Sequence, residues 1–385
     1  MQDGQEIPPD TPDLRGYVVA DKYRVDQLIG AGGMGTVWQG IHVTLGHKVA
    51  IKFIKPAYAT HPDARKRFEI EARAAAKLRT KHAVQVHDFG VTDDKIPYLV
   101  MEYLEGRSLS DHLMAQGPMS GKEVGIVIGQ AARALSKAHA AGIVHRDLKP
   151  DNIFLATNAE DTGDLTYSVK LVDFGIAKMV QETDGPGGGQ MGGPTLEGAV
   201  VGTPNFMSPE QLTVGGAPGP LTDIWSLGAC AFTAMTARIP FEGDVLGDIV
   251  LKVCVAKMPV PSELNPKTPG GFDAWFAKAC NRDVAKRFQT ANEMREALDL
   301  VCSEGNPRGS IPSIDEDIQY ALKPAQPSAL AFDDIEVPNA MSSRTALLAG
   351  LVIGITVMIG VIGAILWRGQ QDIDPPPPVV APPGH

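Results

Sequence analysis

The stretch Ile143-Val-His-Arg-Asp-Leu-Lys-Pro-Asp-Asn152, followed by Val172-Asp-Phe-Gly175, decides how the rest of the chain is interpreted. The first segment places a carboxylate, an ammonium group and an amide on one short loop, at Asp147, Lys149 and Asn152. The second segment adds the carboxylate of Asp173 after a strand-like run. One such group can accept a hydroxyl proton, one can neutralise a phosphate, and two can hold a metal through oxygen. The pattern therefore indicates a nucleotide and magnesium site.

These two motifs resemble H-R-D-x-x-x-x-N and D-F-G of the eukaryotic-type protein kinases found in bacteria, and Lys149 resembles the serine/threonine branch. The resemblance implies an α+β, bilobal kinase fold with a small β-rich N-lobe and a larger helical C-lobe. It implies ATP with Mg²⁺, or Mn²⁺ as an alternative, and protein substrates with Ser/Thr acceptors. By resemblance the catalytic residues are Asp147, Lys149, Lys52 and Glu71, and the metal ligands are Asn152 and Asp173.

A glycine-rich segment, Gly30-Ala-Gly-Gly-Met-Gly-Thr-Val37, follows the alternating run Tyr23–Ile29. A lone G-x-G-x-x-G also opens dinucleotide-binding units, where a helix follows directly. Here two β-prone runs follow, Thr36–Gly40 and Lys48–Ile54, so the sequence predicts a hairpin with glycines at its tip. The resemblance assigns ATP contacts to Ile29, Gly30, Ala31, Gly32, Gly33, Met34, Gly35, Thr36, Val37, Ala50, Lys52, Glu102, Leu104, Asn152 and Asp173.

Lys52 lies inside an apolar run, where a lysine needs a partner. Val49-Ala-Ile-Lys52 matches the V-A-I-K pattern of the third kinase strand, whose lysine pairs with a glutamate on the next helix. The composition of residues 63–79 predicts that helix, and Glu71 shares the face of Phe68. We therefore expect Glu71 to pair with Lys52. Glu69 is the alternative partner, although its position points it away from that face.

Further elements are predicted around this site. Strands are expected at Val84–Phe89 and Pro97–Glu102, followed by a hinge in which the resemblance makes Met101 the gatekeeper and gives the backbones of Glu102 and Leu104 the adenine contacts. A capping box at Ser120 predicts a long helix that stops at Gly142. The apolar run Thr222–Met235 predicts a buried helix capped by Thr222. By resemblance, Asp223 holds the backbone of the catalytic loop, and Arg287 pairs with Glu210.

Residues 176–207 are expected to form a long loop with a glycine-rich centre, closed by Val201-Gly-Thr-Pro-Asn-Phe-Met-Ser-Pro-Glu210. This resembles the kinase activation segment, with Ser-Pro-Glu in place of the usual A-P-E. Because Arg146 precedes Asp147, a phosphate on the loop can order it by pairing with that arginine. Thr195 is the first candidate phosphosite and Thr183 the second, while Thr203 is expected to line the substrate pocket.

Composition limits the classes of function. The chain has 385 residues, 44% of them hydrophobic, which is enough for a sizeable core. The net charge of −10 gives no broad basic surface for nucleic acid. Four cysteines without a C-x-x-C pair argue against a zinc site or a disulfide framework. The acidic, proline-rich N-terminus does not resemble a signal peptide.

The segment Ala346–Trp367 has no charged residue and, at about 1.5 Å per residue, is long enough for a hydrocarbon core of about 30 Å. It predicts a single transmembrane helix in the cell inner membrane. Because ATP is cytosolic, the kinase domain must face the cytoplasm. Gly350 and Gly354 form a G-x-x-x-G pair that is compatible with a homodimer.

The predicted organisation has six parts. They are a disordered leader (1–22), the N-lobe (23–104), the C-lobe (105–302), a juxtamembrane linker (303–345), the transmembrane helix (346–367) and a short Pro-rich tail outside the cell membrane (368–385). A membrane-tethered pseudokinase scaffold remains the alternative function, although such proteins typically lose Lys52, Asp147 or Asp173. A small-molecule kinase is disfavoured by Lys149 and the Ser-Pro-Glu closure.

Overall fold

The computed structural model describes residues 12–33, 35–55, 62–157, 167–174, 204–213 and 216–303. Within helix α1, the side chains of residues 62–67 and 71 lie outside this description. In the described ranges, no helix is both long and apolar enough to cross a membrane. The predicted membrane segment, residues 346–367, lies outside the described residues, as do the linker and the tail.

The N-terminal lobe is built on an antiparallel sheet with the strand order β1-β2-β3-β4-β6-β5. Its elements are β1 (Val18–Val19), β2 (Tyr23–Gly32), β3 (Gly35–His42), β4 (Lys48–Ile54), α1 (Pro62–Lys77), β5 (Val86–Val91) and β6 (Pro97–Glu102). One face of the sheet buries a cluster around Trp38, which is fully buried. Helix α1 packs Ala72 and Ala75 against the strand residues Val86 and Leu99. The predicted hairpin of β2 and β3 is confirmed.

The N-terminal boundary of the fold differs from the prediction. Strand β1 pairs with the start of β2, with Val19 opposite Tyr23, and Val19 is almost fully buried. The expectation that residues 1–22 are a disordered leader is therefore wrong for residues 12–22, because the isolated apolar pair Val18–Val19 completes the edge of the sheet. Residues 1–11 lie outside the described part of the chain.

The C-terminal lobe is mostly helical. Its helices are α2 (Leu109–Gln116), α3 (Gly121–Ala140), α4 (Pro209–Leu212), α5 (Pro220–Thr236), α6 (Leu246–Cys254), α7 (Pro261–Leu264), α8 (Phe272–Ala279) and α9 (Ala291–Cys302). A small antiparallel sheet joins β7 (Gly106–Ser108), β8 (Ile153–Ala156) and β9 (Ser168–Leu171). One core cluster runs through α3, α5, α8 and α9. It forms the rigid base on which the catalytic loop lies.

Local chemistry explains both ends of α3. The Ser120 hydroxyl accepts from the amide of Glu123, and the Glu123 carboxylate accepts from the amide of Ser120, which is the predicted capping box. After the helix, Gly142 has φ 74°, a left-handed conformation that glycine adopts without a Cβ penalty. The chain therefore turns sharply into the catalytic loop directly after a buried helix.

Helix α5 is buried on all sides from Thr222 to Thr236, as predicted. Its start was predicted wrongly at Thr222, because Gly219 is the N-cap and Pro220 opens the first turn. Proline at that position has no amide hydrogen to leave unpaired. The Thr222 hydroxyl lies in the third helical position, where it accepts from the Gly219 amide and donates to the Glu210 carboxylate.

Candidate active site

The glycine hairpin joins β2 to β3 in the N-lobe. Gly32 pairs with Gly35 at its tip, and Met34 between them lies outside the described residues. A Cβ on Gly32 or Gly33 would meet nothing within 4 Å, whereas a Cβ on Gly35 would lie 2.0 Å from the carbonyl oxygen of Phe53. The hairpin glycines therefore have two roles: Gly32 and Gly33 leave open space, and Gly35 allows β3 to approach β4.

Lys52 lies on β4, with only 14% of its side chain exposed. Its Nζ atom lies 2.6 Å from Oδ1 of Asp173, which lies two residues after the end of β9. The predicted partner Glu71 lies on α1, but its side chain is outside the described part of the chain, so that pairing stays a prediction. Glu69 is exposed, as its position relative to Phe68 predicted.

An apolar cluster lies beside Lys52, on the strand that carries it and on neighbouring segments. Ala50, Val84 and Met101 are its buried residues, and three partly buried side chains pack against them, those of Val37, Leu104 and Val172. The sequence placed Val37, Ala50 and Leu104 at the nucleotide site, and the structure brings them together. Val84 and Val172 were missed; the position of Val172 directly before Asp173 was the signal that could have identified it.

The catalytic loop is held by Asp223, which is fully buried at the start of α5. Its carboxylate accepts from the backbone amides of His145 and Arg146, each at 2.8 Å, and contacts His139 Nε2 at 2.7 Å. The predicted role of Asp223 is therefore confirmed. An aspartate with several hydrogen-bond donors can be buried at acceptable cost because its charge is compensated.

Within the loop, three predicted residues converge. The Asn152 amide donates to the backbone oxygen of Asp147 at 2.7 Å and lies 3.4 Å from its Oδ2 atom. Lys149 Nζ lies 3.4 Å from the same Oδ2 atom. The backbone amide of Val172 donates to the carbonyl of Asn152 at 3.0 Å, which connects this loop to the residue before Asp173. Three of the polar residues quoted first in the sequence thus contact one another, and the fourth, Asp173, directly follows a residue that is hydrogen-bonded to Asn152.

Two residues of this site have unusual backbone angles. Arg146 has φ 61° and Asp173 has φ 57°, which is the left-handed region that L-residues seldom adopt. Such conformations cost on the order of 1–3 kcal/mol and concentrate at functional sites. Here the Asp223 contact to the Arg146 amide and the Lys52 contact to the Asp173 carboxylate hold them in place.

His145 is a fully buried residue of the catalytic loop. Its ring packs against the ring of Phe174, with 4.8 Å between the two ring centroids. Its Nε2 atom lies 3.0 Å from the carbonyl of Val172. Burial lowers the pKa of His145 below its usual value, against the opposing charges of nearby aspartates such as Asp223. A neutral imidazole that donates through Nε2 fits these contacts.

The model of the protein kinase domain family matches residues 23–297, which are most of the chain. The chain belongs to the protein kinase family. This membership agrees with the expectation from the two opening motifs, and the matched range covers both the N-lobe and the C-lobe.

Similar proteins include bacterial serine/threonine-protein kinases. The serine/threonine-protein kinase PknL of Mycobacterium tuberculosis is 35% identical over 76% of this chain and 68% of its own length. The serine/threonine-protein kinase pkn3 of Myxococcus xanthus is 32% identical over 86% of this chain and 59% of its own length. PrkC of Bacillus subtilis is 34% identical over 73% of this chain, and the match spans 40% of that relative.

A solved structure has the same fold. The crystal structure of the Mycobacterium tuberculosis PknI kinase domain aligns with a TM-score of 0.57, covering 74% of this chain and 98% of that one, at 24% identity. The bilobal kinase fold, with its sheet-based N-lobe and helical C-lobe, is therefore established for this chain.

The kinase C-lobe also contains a buried ion pair that the family resemblance predicted. Arg287 donates from Nη1 and Nη2 to the two carboxylate oxygens of Glu210, at 2.7 and 2.8 Å. Burial alone would raise the pKa of Glu210, but the hydrogen bonds and charge of Arg287 hold it below its usual value. The pair fixes the end of the 204–213 segment beneath the catalytic loop, where Gln211 also donates to the backbone oxygen of Arg146.

Proposed function

We propose that this chain is an active serine/threonine protein kinase, which transfers the γ-phosphate of ATP to Ser/Thr hydroxyl groups of proteins. The observation that carries the proposal is the convergence of Lys52 from the N-lobe with Asp173 from the C-lobe, at 2.6 Å, beside the Asp147 loop. A scaffold without turnover would not need to keep both charges of this pair and the loop carboxylate.

Each residue of the loop has a role that follows from its position. Asp147 orients the acceptor hydroxyl and accepts its proton. The Asn152 amide and Lys149 hold the Asp147 carboxylate in place. Lys149 also neutralises charge on the transferred phosphate. Lys52 contacts the α- and β-phosphates, and Glu71 on α1 is the proposed second partner that steadies it. Positioning and electrostatics supply most of the rate enhancement in this type of reaction.

The adenine base is proposed to bind against the apolar cluster of Ala50, Val84 and Met101. The backbones of Glu102 and Leu104 are proposed to contact the base, and the Leu104 side chain packs on this cluster. The glycine hairpin from Ile29 to Val37 covers the phosphates, and the open space beside Gly32 and Gly33 leaves room for them.

The residues present fit a magnesium ion, which prefers carboxylate and amide oxygens. The Asp173 side chain is 37% exposed. Asn152 directs its amide nitrogen to Asp147, which leaves its side-chain oxygen as the group for metal. When bound, Mg²⁺ neutralises phosphate charge. Mn²⁺ has the same ligand preference.

The test is phosphate incorporation from ATP into this protein and into a generic basic protein. Wild type should label both, and Asp147→Asn should lower kcat by on the order of 10² or more, because it removes an interaction used only in the transition state. The matched control is Asp151→Asn, an exposed loop carboxylate, which should retain activity. Equal inertness of wild type and Asp147→Asn, with Mg²⁺ and with Mn²⁺, would reject the enzyme proposal and favour a pseudokinase scaffold.

Regulation by autophosphorylation of the activation loop is also proposed. The Nε and Nη1 atoms of Arg146 are buried and have no hydrogen-bond partner among the described residues, and such a cation suits a phosphate. The candidate sites Thr195 and Thr183, and the pocket residue Thr203, lie outside the described residues. Mass spectrometry of protein made without phosphatase should find phosphate between residues 183 and 203, and a fully active enzyme without it would contradict the proposal.

We further propose a membrane-anchored arrangement, based on the uncharged segment 346–367. The kinase domain (lobes 23–104 and 105–302) then faces the cytoplasm, joined by the linker 303–345, and residues 368–385 lie on the outer side of the cell inner membrane. A protease added to intact cells should cleave the tail but not the kinase domain. Homodimerisation through Gly350 and Gly354 predicts that Gly350→Leu weakens association without changing kinase activity.

A further inference from the structure

The end of β6, where the hinge begins, carries a charged cluster that phosphoryl transfer itself does not use. Lys170 Nζ lies 2.8 Å from Oε1 and 3.0 Å from Oε2 of Glu102. The same Oε1 atom accepts from the backbone amide of Gln85 at 2.7 Å. Both charged side chains are largely buried, with 14% of Lys170 and 24% of Glu102 exposed.

The position of this cluster in the sheet explains what the carboxylate does. Strands β5 and β6 pair as far as Val86 opposite Met101, next to a register shift at His87. Just beyond that pair, the Glu102 amide donates to the carbonyl of Gln85 at 2.9 Å. The Glu102 side chain then accepts the Gln85 amide. Two hydrogen bonds therefore clamp residues 85 and 102 together where the regular ladder ends.

Lys170 connects this clamp to the other lobe. It lies on β9, which belongs to the small C-lobe sheet. Beside it, the Leu171 amide donates to the carbonyl of His82, and the Leu171 carbonyl accepts from the Val84 amide. A charge-assisted contact between largely buried groups is stronger than an exposed ion pair. The hinge residue Glu102 is therefore held from both lobes.

We propose that Lys170, acting through Glu102, is a positioning residue that fixes the hinge backbone for binding of the adenine base. The inference rests on the proposed function, which places adenine against residues 102 and 104. Leu104 packs on the apolar cluster of Ala50, Val84 and Met101, only two residues beyond the clamp. A backbone that is already fixed requires less ordering when the ligand binds, so affinity depends on the clamp even though Lys170 does not touch the nucleotide.

The test separates the base from the phosphates. Adenosine and Mg-ADP binding are measured by calorimetry for the wild-type full chain, Lys170→Met and Lys170→Arg. Lys170→Met should weaken both ligands by the same factor, about five- to tenfold, since a hydrogen bond to a charged group is lost. The KM for ATP should rise by a similar factor while kcat stays within about twofold. Lys170→Arg, which keeps a cation for the carboxylate, should restore most of the affinity.

Two additional variants keep the result interpretable. Glu102→Gln retains an acceptor for the Gln85 amide but loses its charge, so its affinity should lie between those of wild type and Lys170→Met. Lys278→Met breaks an ion pair of 2.9 Å with Glu293 in the C-lobe, away from the hinge, and should leave adenosine binding unchanged. If Lys170→Met misfolds, the Glu102→Gln measurement decides the question.

Unchanged adenosine binding in Lys170→Met, or failure of Lys170→Arg to restore it, would overturn the inference. A loss confined to Mg-ADP would also overturn it, because the effect would then act through Asp173, three residues farther along the chain. Phosphate transfer is a separate readout. A wild type that binds adenosine with the expected dependence on Lys170 but labels no protein would reject the proposed function and leave the hinge inference standing.

Discussion

The Nζ atom of Lys52 lies 2.6 Å from Oδ1 of Asp173, although 121 positions separate them in the chain. Lys52 is held by the pairing of β4 with both β3 and β6. Asp173 is held in a left-handed conformation after β9. The contact therefore joins the two lobes at the point where phosphate and metal are proposed to bind. When the ligands bind, Lys52 can exchange Asp173 for phosphate, and Asp173 can exchange Lys52 for the metal.

Replacing Lys52 by Met tests the contribution of this cation to catalysis. The variant should lose at least about 10² in kcat, because a charge that stabilises the transition state is removed. Its stability should change by less than about 1 kcal/mol, since the freed Asp173 carboxylate remains accessible to water. Steady-state kinetics and chemical unfolding measure the two effects. Lys278→Met is the control with a lysine removed elsewhere, and a similar loss of kcat there would contradict the assignment.

The glycine hairpin predicts a contrast between two Gly→Ala substitutions. Gly35→Ala should destabilise the protein by about 1–3 kcal/mol, because its Cβ would collide with the Phe53 carbonyl and force β3 away from β4. Gly32→Ala has open space around its Cβ, so its stability should stay within about 0.5 kcal/mol of wild type. It should instead raise the KM for ATP, since the new methyl group occupies space proposed for phosphates.

Urea unfolding and ATP titration separate these outcomes. Equal loss of stability in both alanine variants would show that the hairpin tip is packed throughout. An unchanged KM in Gly32→Ala would contradict the placement of phosphates beside that glycine.

The buried pair of Glu210 and Arg287 is expected to be a major contribution to stability. Arg287→Met should reduce the free energy of unfolding by about 3–5 kcal/mol, because it leaves the Glu210 carboxylate largely buried without its cation. Adding Glu210→Gln should recover part of the loss, since the uncompensated charge is then removed as well. Urea denaturation of the two single variants and the double variant measures the coupling. Additive losses would show that the two residues act independently.

His145 predicts a dependence of stability on pH. Its pKa in the folded protein is lowered from 6.5, first because it is buried. When the pH falls below 6.5, the pKa of this histidine in the unfolded chain, the unfolded chain therefore binds a proton here that the folded chain does not. This contribution to stability is complete above pH 6.5 and is lost as the pH falls through the folded pKa. The unfolding free energy should thus decrease on acidification.

His145→Phe should make this decrease smaller, because phenylalanine keeps the contact with Phe174 but cannot titrate. The comparison is the difference in unfolding free energy between wild type and variant across the pH range, which cancels contributions from other histidines such as His82, whose pKa burial also lowers. An identical pH dependence in both proteins would show that His145 does not contribute.

Much of this kinase was readable from local sequence patterns. The alternation in Tyr23–Ile29, the capping box at Ser120 and the continuous apolar run before Met235 each reflect a local physical requirement, and the structure contains the corresponding elements. The site motifs were equally informative, because Asp147, Lys149 and Asn152 are close in the chain and lie close together in any compact loop. Asp223 and Arg287 were placed through the family resemblance, and both contacts are present.

Errors and omissions fell where a single contact, rather than a repeating pattern, decides the structure. The strand Val18–Val19 is too short to identify without the edge of β2 beside it. The N-cap of α5 is Gly219 rather than Thr222, and the Thr222 hydroxyl bonds from inside the first turn to the Gly219 amide and the Glu210 carboxylate. Val84 belongs to the apolar cluster beside Lys52. It is held there by a hydrogen bond from its backbone amide to the carbonyl of Leu171. None of these contacts leaves a periodic signal in the sequence.

By itself, the sequence determined the chemistry of the site: which carboxylates, amide and lysines are available, and in what order they occur. Only the tertiary structure decided their partners. It joined Lys52 to Asp173 and placed Glu102 between Gln85 and Lys170. The reason is physical: a motif fixes residues a few positions apart, whereas contacts between the lobes depend on how strands from different parts of the chain pack together.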